Sequence, residues 1–296
     1  MKGVCVLFSQ TDVSRNYQNK MNDNEFDIKN CICAWYDLLG YGQPFVENKW
    51  DLSNDSCKKQ LERIKLLDLT LVNKFAGSFS TVTFTLNDGV IYNHDIDTQK
   101  FNFIDKLVTS LNDLIGEFES INIRDLRIGF PGARGIITYG QRYNYEFVGS
   151  TVDVATNFTI SYHPSEFQMN TAFSKAYIME SSGSKAGITG NNLYIDNYLL
   201  NNLEKLVTEN NNSINNYKIE RTFSDESYLF TIFRNDELFL QLTFDKNSIK
   251  YNNKGIITEL FKYISKESLL EKVAAEQAFL AGQRYLRMER EEFGED

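Results

Sequence analysis

"CICAWYDLLGYG", residues 31–42, is the stretch on which the reading of this chain turns. An apolar run ends in Asp37, and two leucines lead from it into Gly40 and Gly42. Residues 30–36 alternate weakly and carry small and aromatic side chains, which predicts a buried strand. Two explanations fit a buried strand that stops on a carboxylate and then on a loop without bulk. Asp37 caps the next element. Alternatively, its carboxylate holds a metal ion while the glycine loop lets backbone N–H groups reach a phosphate.

Downstream, "DSCKKQLERIKLLDLTLVNKFA" (55–76) places Leu61, Ile64, Leu67, Leu71 and Phe75 at helical spacing. "STVTFTLNDGVIYNHDI" then gives the clearest β signal, two β-branched and aromatic runs around "NDG", a tight-turn signature. Residues 98–118 predict a second amphipathic helix, with Phe101, Ile104, Val108, Leu111, Ile115 and Phe118 on one side. "ARGIITYG" and "RYNYEFVG" read as strands, "TAFSKAYIMES" as a helix, and "SYLFTIFRN" and "LFLQLTFDK" as two more strands after the polar loop "ENNNSINN". This order differs from regular βαβ alternation. It predicts an α+β fold, a mostly antiparallel sheet with helices packed on one face. One domain over residues 1–255, with its core at 28–196, is expected, followed by a helical extension over 256–296 that contains Leu269, Leu270, Val273 and Leu280.

A chain of 296 residues is long enough for a substantial core. Its formal net charge of -9 argues against a general nucleic-acid binder, which needs basic surface to displace counterions. A small anionic substrate stays compatible, because a site can be locally positive within an acidic protein. No apolar run approaches the roughly 20 residues that span a bilayer. The start, "MKGVCVLFSQTDVSRN", lacks a small-residue cleavage site, so no signal peptide is expected. Cys5, Cys31, Cys33 and Cys57 lack zinc-ligand spacing and read as free thiols, mostly buried, in a reducing cytoplasm. His94 and His163 are too isolated for a triad or a zinc site.

Asp88 stands at the turn of the hairpin. If the hairpin lies beside the first strand, Asp37 and Asp88 converge at one sheet end. Two carboxylates and an anionic phosphate form a site for Mg²⁺ or Mn²⁺, hard ions that take oxygen ligands. Asp88-Gly89 equally suits an ordinary tight turn, and Asp95 and Asp97 read as exposed residues or a helix start.

These residues together resemble class III nucleotide cyclases. "WYDLLGYG" resembles the first metal-binding strand of that family and "LNDGVIYN" its second metal-binding turn. "RGIITYG" (134–140) resembles the strand with a phosphate-facing arginine, and "AFSKAYIMES" the following catalytic helix in the form of the bacterial antiphage pyrimidine cyclases, the Pycsar group. The resemblance spans roughly residues 28–196. It implies a homodimer with composite active sites and cyclisation of a nucleoside triphosphate to a 3′,5′-cyclic monophosphate plus pyrophosphate. Carried over, it implies Asp37 and Asp88 as ligands of Mg²⁺ or Mn²⁺ and as catalytic residues, with Arg134 on the phosphates. It also implies Leu38, Leu39, Gly40, Tyr41 and Phe84 around the substrate.

Arg127 is the rival to Arg134, and a surface salt bridge is the alternative role for either. Purine cyclases read the base with a Lys or Glu four residues before the second aspartate. Phe84 stands there, which weakens an ATP or GTP assignment and is compatible with CTP, towards which the overall resemblance leans, or UTP. The helix motif aligns in two registers, with Asp153 and Asn157 or with Ser174 and Ile178, and neither supplies the family's arginine. The second is favoured and makes residues 141–170 an insertion, with Lys175 and Arg142 as candidate charge stabilisers. A catalytically inactive, nucleotide-sensing or interaction module is the rival reading. The missing arginine supports it, and the two aspartates with Arg134 oppose it. A metal-dependent phosphohydrolase is the third.

Overall fold

The computed structural model describes residues 27–75, 81–86, 88–143, 149–153, 158–162, 169–210 and 215–269. Strand β1 (Ile28–Leu38) is followed by the short helix α1 (Gln43–Glu47), helix α2 (Asp55–Phe75) and the hairpin β2 (Thr81–Leu86) and β3 (Gly89–Ile96). Helix α3 (Phe103–Arg127) leads into β4 (Ala133–Tyr143), the separate pair β5 (Gly149–Asp153) and β6 (Phe158–Tyr162), and helix α4 (Thr171–Ser181). Then come β7 (Leu193–Asp196), α5 (Asn197–Glu209), β8 (Tyr217–Phe223), β9 (Ser227–Arg234), β10 (Glu237–Asp245), β11 (Ile249–Asn253) and β12 (Ile256–Ser268).

Ten strands form one sheet in the order β2-β3-β1-β4-β7-β12-β10-β9-β8, with β11 paired to β12. The β4–β7 pairing is parallel and the other pairings of this sheet are antiparallel. The α+β architecture with a mostly antiparallel sheet is therefore as expected.

Strand β1 is central, and its side chains alternate between two apolar layers. Ile32, Ala34, Tyr36 and Leu38 pack with Leu107, Leu111 and Ile115 of α3 and Leu199 and Leu203 of α5. Cys31, Cys33 and Trp35 pack with Ala172, Ala176 and Met179 of α4. Helices thus cover both faces of the sheet, where the sequence placed them on one. The reason lies in β1 itself. It is buried on both faces and has to be covered twice.

The helix expected at 98–118 runs instead from 103 to 127. A turn in which the Asp97 carboxylate accepts from the Gln99 N–H and the Lys100 N–H reaches the Asp97 carbonyl delays its start. The expected strand at 142–149 contributes only Arg142 and Tyr143 to β4 and Gly149 to β5, residues 144–148 lying outside the described part. Asp153 lies on a strand, so the helical register through Asp153 and Asn157 is not the one adopted, whereas α4 covers the other register.

The expected helix from residue 256 is corrected over 256–268. That segment is β12, an antiparallel partner of β7 and β10 in the main sheet. The apolar residues behind that expectation, Leu269, Leu270, Val273 and Leu280, all lie beyond β12, whereas Leu260 on one face of the strand and Phe261 and Tyr263 on the other are buried within the sheet layers. Leu270, Val273 and Leu280 lie outside the described residues, as do Cys5 and His163.

Candidate active site

The β1 register fixes the site. Asp37 faces Gly89 of β3 on one side and Arg134 of β4 on the other. The Leu38 N–H donates to the Asp88 carbonyl at 2.6 Å, tying the hairpin turn to the end of β1. Asp37, Asp88 and Arg134 are thereby gathered at one sheet end. Asp37 caps no helix; α1 begins beyond Gly42.

Alternation sets the face. Asp37 follows Cys31, Cys33 and Trp35, so it lies on the α4 side, together with its directly opposed neighbour Arg134. Arg134 Nη2 approaches Asp37 Oδ2 at 3.6 Å. Its stronger partner is Glu180 of α4, whose Oε1 accepts from Nε at 2.7 Å and also from Nη2. Glu180 Oε2 accepts from Trp35 Nε1 at 3.3 Å.

Nothing in the helical pattern of "TAFSKAYIMES" assigns Glu180 a role at this site. The signal available was a glutamate in an otherwise apolar helix face, whose partner residue 134 is remote in sequence. Burial, reinforced by the Glu180 and Asp88 carboxylates, pushes Asp37 up to about 7, while Arg134 and, more weakly, Arg63 pull the other way.

The loop after Asp37 is held from beneath. Arg63 of α2 is fully buried and donates to the carbonyls of Leu39 and Gly132, each at 3.0 Å, and to Asp125 Oδ2. It therefore clamps the segment after Asp37 and the segment before Arg134 against the end of α3. Within the loop, Leu39 N–H donates to the Gly132 carbonyl at 2.9 Å and Tyr41 N–H to the Leu38 carbonyl at 3.3 Å. With the Leu38 bond, three N–H groups of "LLGYG" are already engaged, so the expectation that this segment wraps a phosphate narrows to Gly40 and Gly42. The Leu38 side chain is buried in the α3-side core rather than turned to the site. Gly40 adopts a positive φ of 70°, which a residue with a Cβ rarely takes. Tyr41 packs on Phe45. Phe84 stands on β2 opposite Ile91.

Other candidates are placed elsewhere. Arg142 is at the far end of β4, buried and bonded to Asp95 at 2.7 and 2.5 Å, so it does not serve the Asp37 end. Lys175 Nζ lies over the Tyr198 ring at 4.2 Å. Arg127 is the exposed last residue of α3. His94 is buried against Ser110, its Nδ1 3.1 Å from the hydroxyl. Cys31, Cys33 and Cys57 are free and buried.

Gly89 has a role other than turn chemistry. A Cβ at this position would lie 1.9 Å from Cη2 of Trp35, so the missing side chain is what lets the indole lie against β3.

Among the described residues no group of three His, Cys, Asp or Glu side chains is arranged for a metal ion. Asp37 stands at the sheet end with the negative charges of Glu180 and Asp88 acting on it and with Arg134 as the adjacent cation. An all-oxygen set with excess negative charge suits a hard divalent cation that keeps its remaining ligands from water or phosphate.

Several solved structures are similar to this chain at low identity. The adenylyl cyclase CyaB from P. aeruginosa is 12% identical, the match covering 81% of this chain and 96% of that one, with a TM-score of 0.39. The guanylyl cyclase Cya2 is 11% identical, with 80% and 93% covered and a TM-score of 0.38. The guanylate cyclase domain of RhGC from Catenaria anguillulae, solved with GTP, is 9% identical, with 81% and 98% covered and a TM-score of 0.37. No protein-family model matches the sequence, and no curated protein matches it.

Proposed function

We propose that this protein is a pyrimidine nucleotide cyclase, converting CTP, the favoured substrate, or UTP to the 3′,5′-cyclic monophosphate and pyrophosphate. The observation that carries the reading is the register of β1, which sets Asp37 beside Arg134 and bonds Leu38 to the turn that holds Asp88. The motif order quoted from the sequence supports the same reading.

In this mechanism Asp37 and Asp88 would hold Mg²⁺ or Mn²⁺, which would supply charge neutralisation on the triphosphate and a lowered pKa at the attacking hydroxyl. Arg134 offers a permanent positive charge to the phosphates as pyrophosphate leaves, and its fork geometry suits phosphate oxygens. The clamp through Arg63 keeps the backbone beside Asp37 and Arg134 in place, so rate enhancement comes from positioning and preorganised charge. On this reading the loop at Gly40 and Tyr41 belongs to the substrate site, and Phe84, standing where purine cyclases carry a Lys or Glu, is compatible with a pyrimidine base.

The proposed assembly is a homodimer that completes each pocket, located in the cytoplasm. Among the described residues no helix is long and apolar enough to cross a membrane. The sequence resemblance to the Pycsar group supports the further reading of the product as a second messenger in antiphage defence.

Incubation with each of the four nucleoside triphosphates and Mn²⁺, followed by product mass, tests the proposal. A cyclic pyrimidine monophosphate is expected. A nucleoside monophosphate or free phosphate as the sole product would indicate a phosphohydrolase. One observation favours a second reading, a nucleotide-binding module without turnover: α4 brings Glu180, not an arginine, to the site. Triphosphate binding without any product is its signature.

A further inference from the structure

We propose that Glu180 is a positioning residue, which, braced by Trp35, fixes the guanidinium of Arg134 so that its free edge meets the substrate phosphates. The proposal rests on the reading of this sheet end as a triphosphate site.

The side chain of Glu180 is 5% exposed, and a carboxylate buried to that degree needs donors. It has two, Arg134 on one oxygen and the Trp35 indole N–H on the other. Trp35 is itself fixed, 2% exposed, seated over Gly89 and edge-on to Phe173 and Tyr177 of α4. A chain of contacts therefore runs from the backbone of β3 through the indole and the carboxylate to the arginine.

Arg134 commits Nε and Nη2 to Glu180, with Nη2 also towards Asp37. Among the described residues nothing hydrogen-bonds Nη1, and the side chain is 18% exposed. Because a guanidinium is planar, fixing two of its nitrogens fixes the direction of the third. A free arginine loses rotamer freedom when it binds a phosphate; one already held does not.

Glutamate is the residue type this role needs. Both neighbours of the carboxylate are donors, so both of its oxygens have to accept. A glutamine keeps the shape but turns an NH₂ towards one of the two donors. Glu180 also places a negative charge near the phosphates, so the sign of its effect separates orientation from mere neutralisation.

The test measures binding of inorganic tripolyphosphate with Mg²⁺ to the full chain. Wild type, Glu180→Gln, Trp35→Phe and Arg134→Ala are compared, along with each of the first two substitutions in the Arg134→Ala background. Arg134→Ala is expected to weaken binding about tenfold and Glu180→Gln about fivefold, the loss of an oriented charge-assisted contact. Trp35→Phe, which removes the indole N–H while keeping a ring, is expected to weaken it about twofold to threefold. In the Arg134→Ala background the Trp35→Phe loss should vanish and Glu180→Gln should leave binding unchanged or tighter, because an unpaired carboxylate is removed there; a loss caused by general destabilisation would persist.

Tighter or unchanged binding by Glu180→Gln in the otherwise wild-type chain, or equal losses in both backgrounds, would overturn the proposal, as would a wild type that does not bind tripolyphosphate. If Glu180→Gln does not fold, the Trp35→Phe pair decides by the same comparison. Failure of the cyclase reading looks different: the couplings hold, yet the wild type makes no cyclic product from any nucleoside triphosphate.

Discussion

Asp37 and Arg134 meet because they are direct partners in adjacent antiparallel strands, and Asp88 joins them through the backbone bond from Leu38. Asp37→Ala or Asp88→Ala should lower cyclic nucleotide formation by about 100-fold or more without changing the circular dichroism spectrum. Wild-type turnover by either variant would remove the metal assignment. Gly89→Ala would force a Cβ to 1.9 Å from the Trp35 ring, so overpacking should cost about 1–3 kcal/mol in urea unfolding. Arg63→Met tests the clamp beneath the loop. It leaves Asp125 buried with, among the described residues, the neighbouring Arg124 at 2.8 Å as its remaining cation, and a loss of about 3–5 kcal/mol is expected.

At the scale of elements, the contact between β3 and α3 carries a pH dependence. Burial holds His94 down to about 4, while nearby Asp95 only partly opposes this. An unfolded chain protonates the same imidazole near 6.5, its ordinary value. Between those values the unfolded state binds the extra proton, so this group's contribution is full above about pH 6.5 and is lost as the pH drops towards 4. Asp37, held up to about 7, acts in the opposite sense over the same window. The His94 share, about 3 kcal/mol, is therefore read as the difference between the wild-type and His94→Gln urea midpoints, which should shrink as the pH falls from 6.5 to 4.

Helix α4 has its own anchor. Asn170 caps it by accepting from the Phe173 N–H at 2.9 Å while donating to Asn93 at 2.8 Å. Asn170→Ala should cost about 1–2 kcal/mol, seen as a lower melting temperature.

For the whole molecule, the central expectation is assembly. A pocket completed by a second copy requires a species of twice the 34.2 kDa chain mass in light scattering. A monomer with full activity, with and without nucleotide, would rule out composite sites. A chain with a net charge of -9 should also show no general affinity for nucleic acid at physiological salt.

Sequence alone determined local elements through apolar patterning and turn chemistry: the strand ending at Asp37, the "NDG" hairpin and the helix over 171–181. These are legible because side-chain alternation and turn preference act between near neighbours. Only the tertiary structure decided that β12 is a sheet strand where a helix was expected, that helices cover both faces, and that Glu180 and Trp35 hold Arg134. It also decided the burial of Arg63 and the true reason for Gly89. Each of these depends on which remote segment lies opposite, and pairing between distant strands and helices leaves no periodic trace in the chain that forms it.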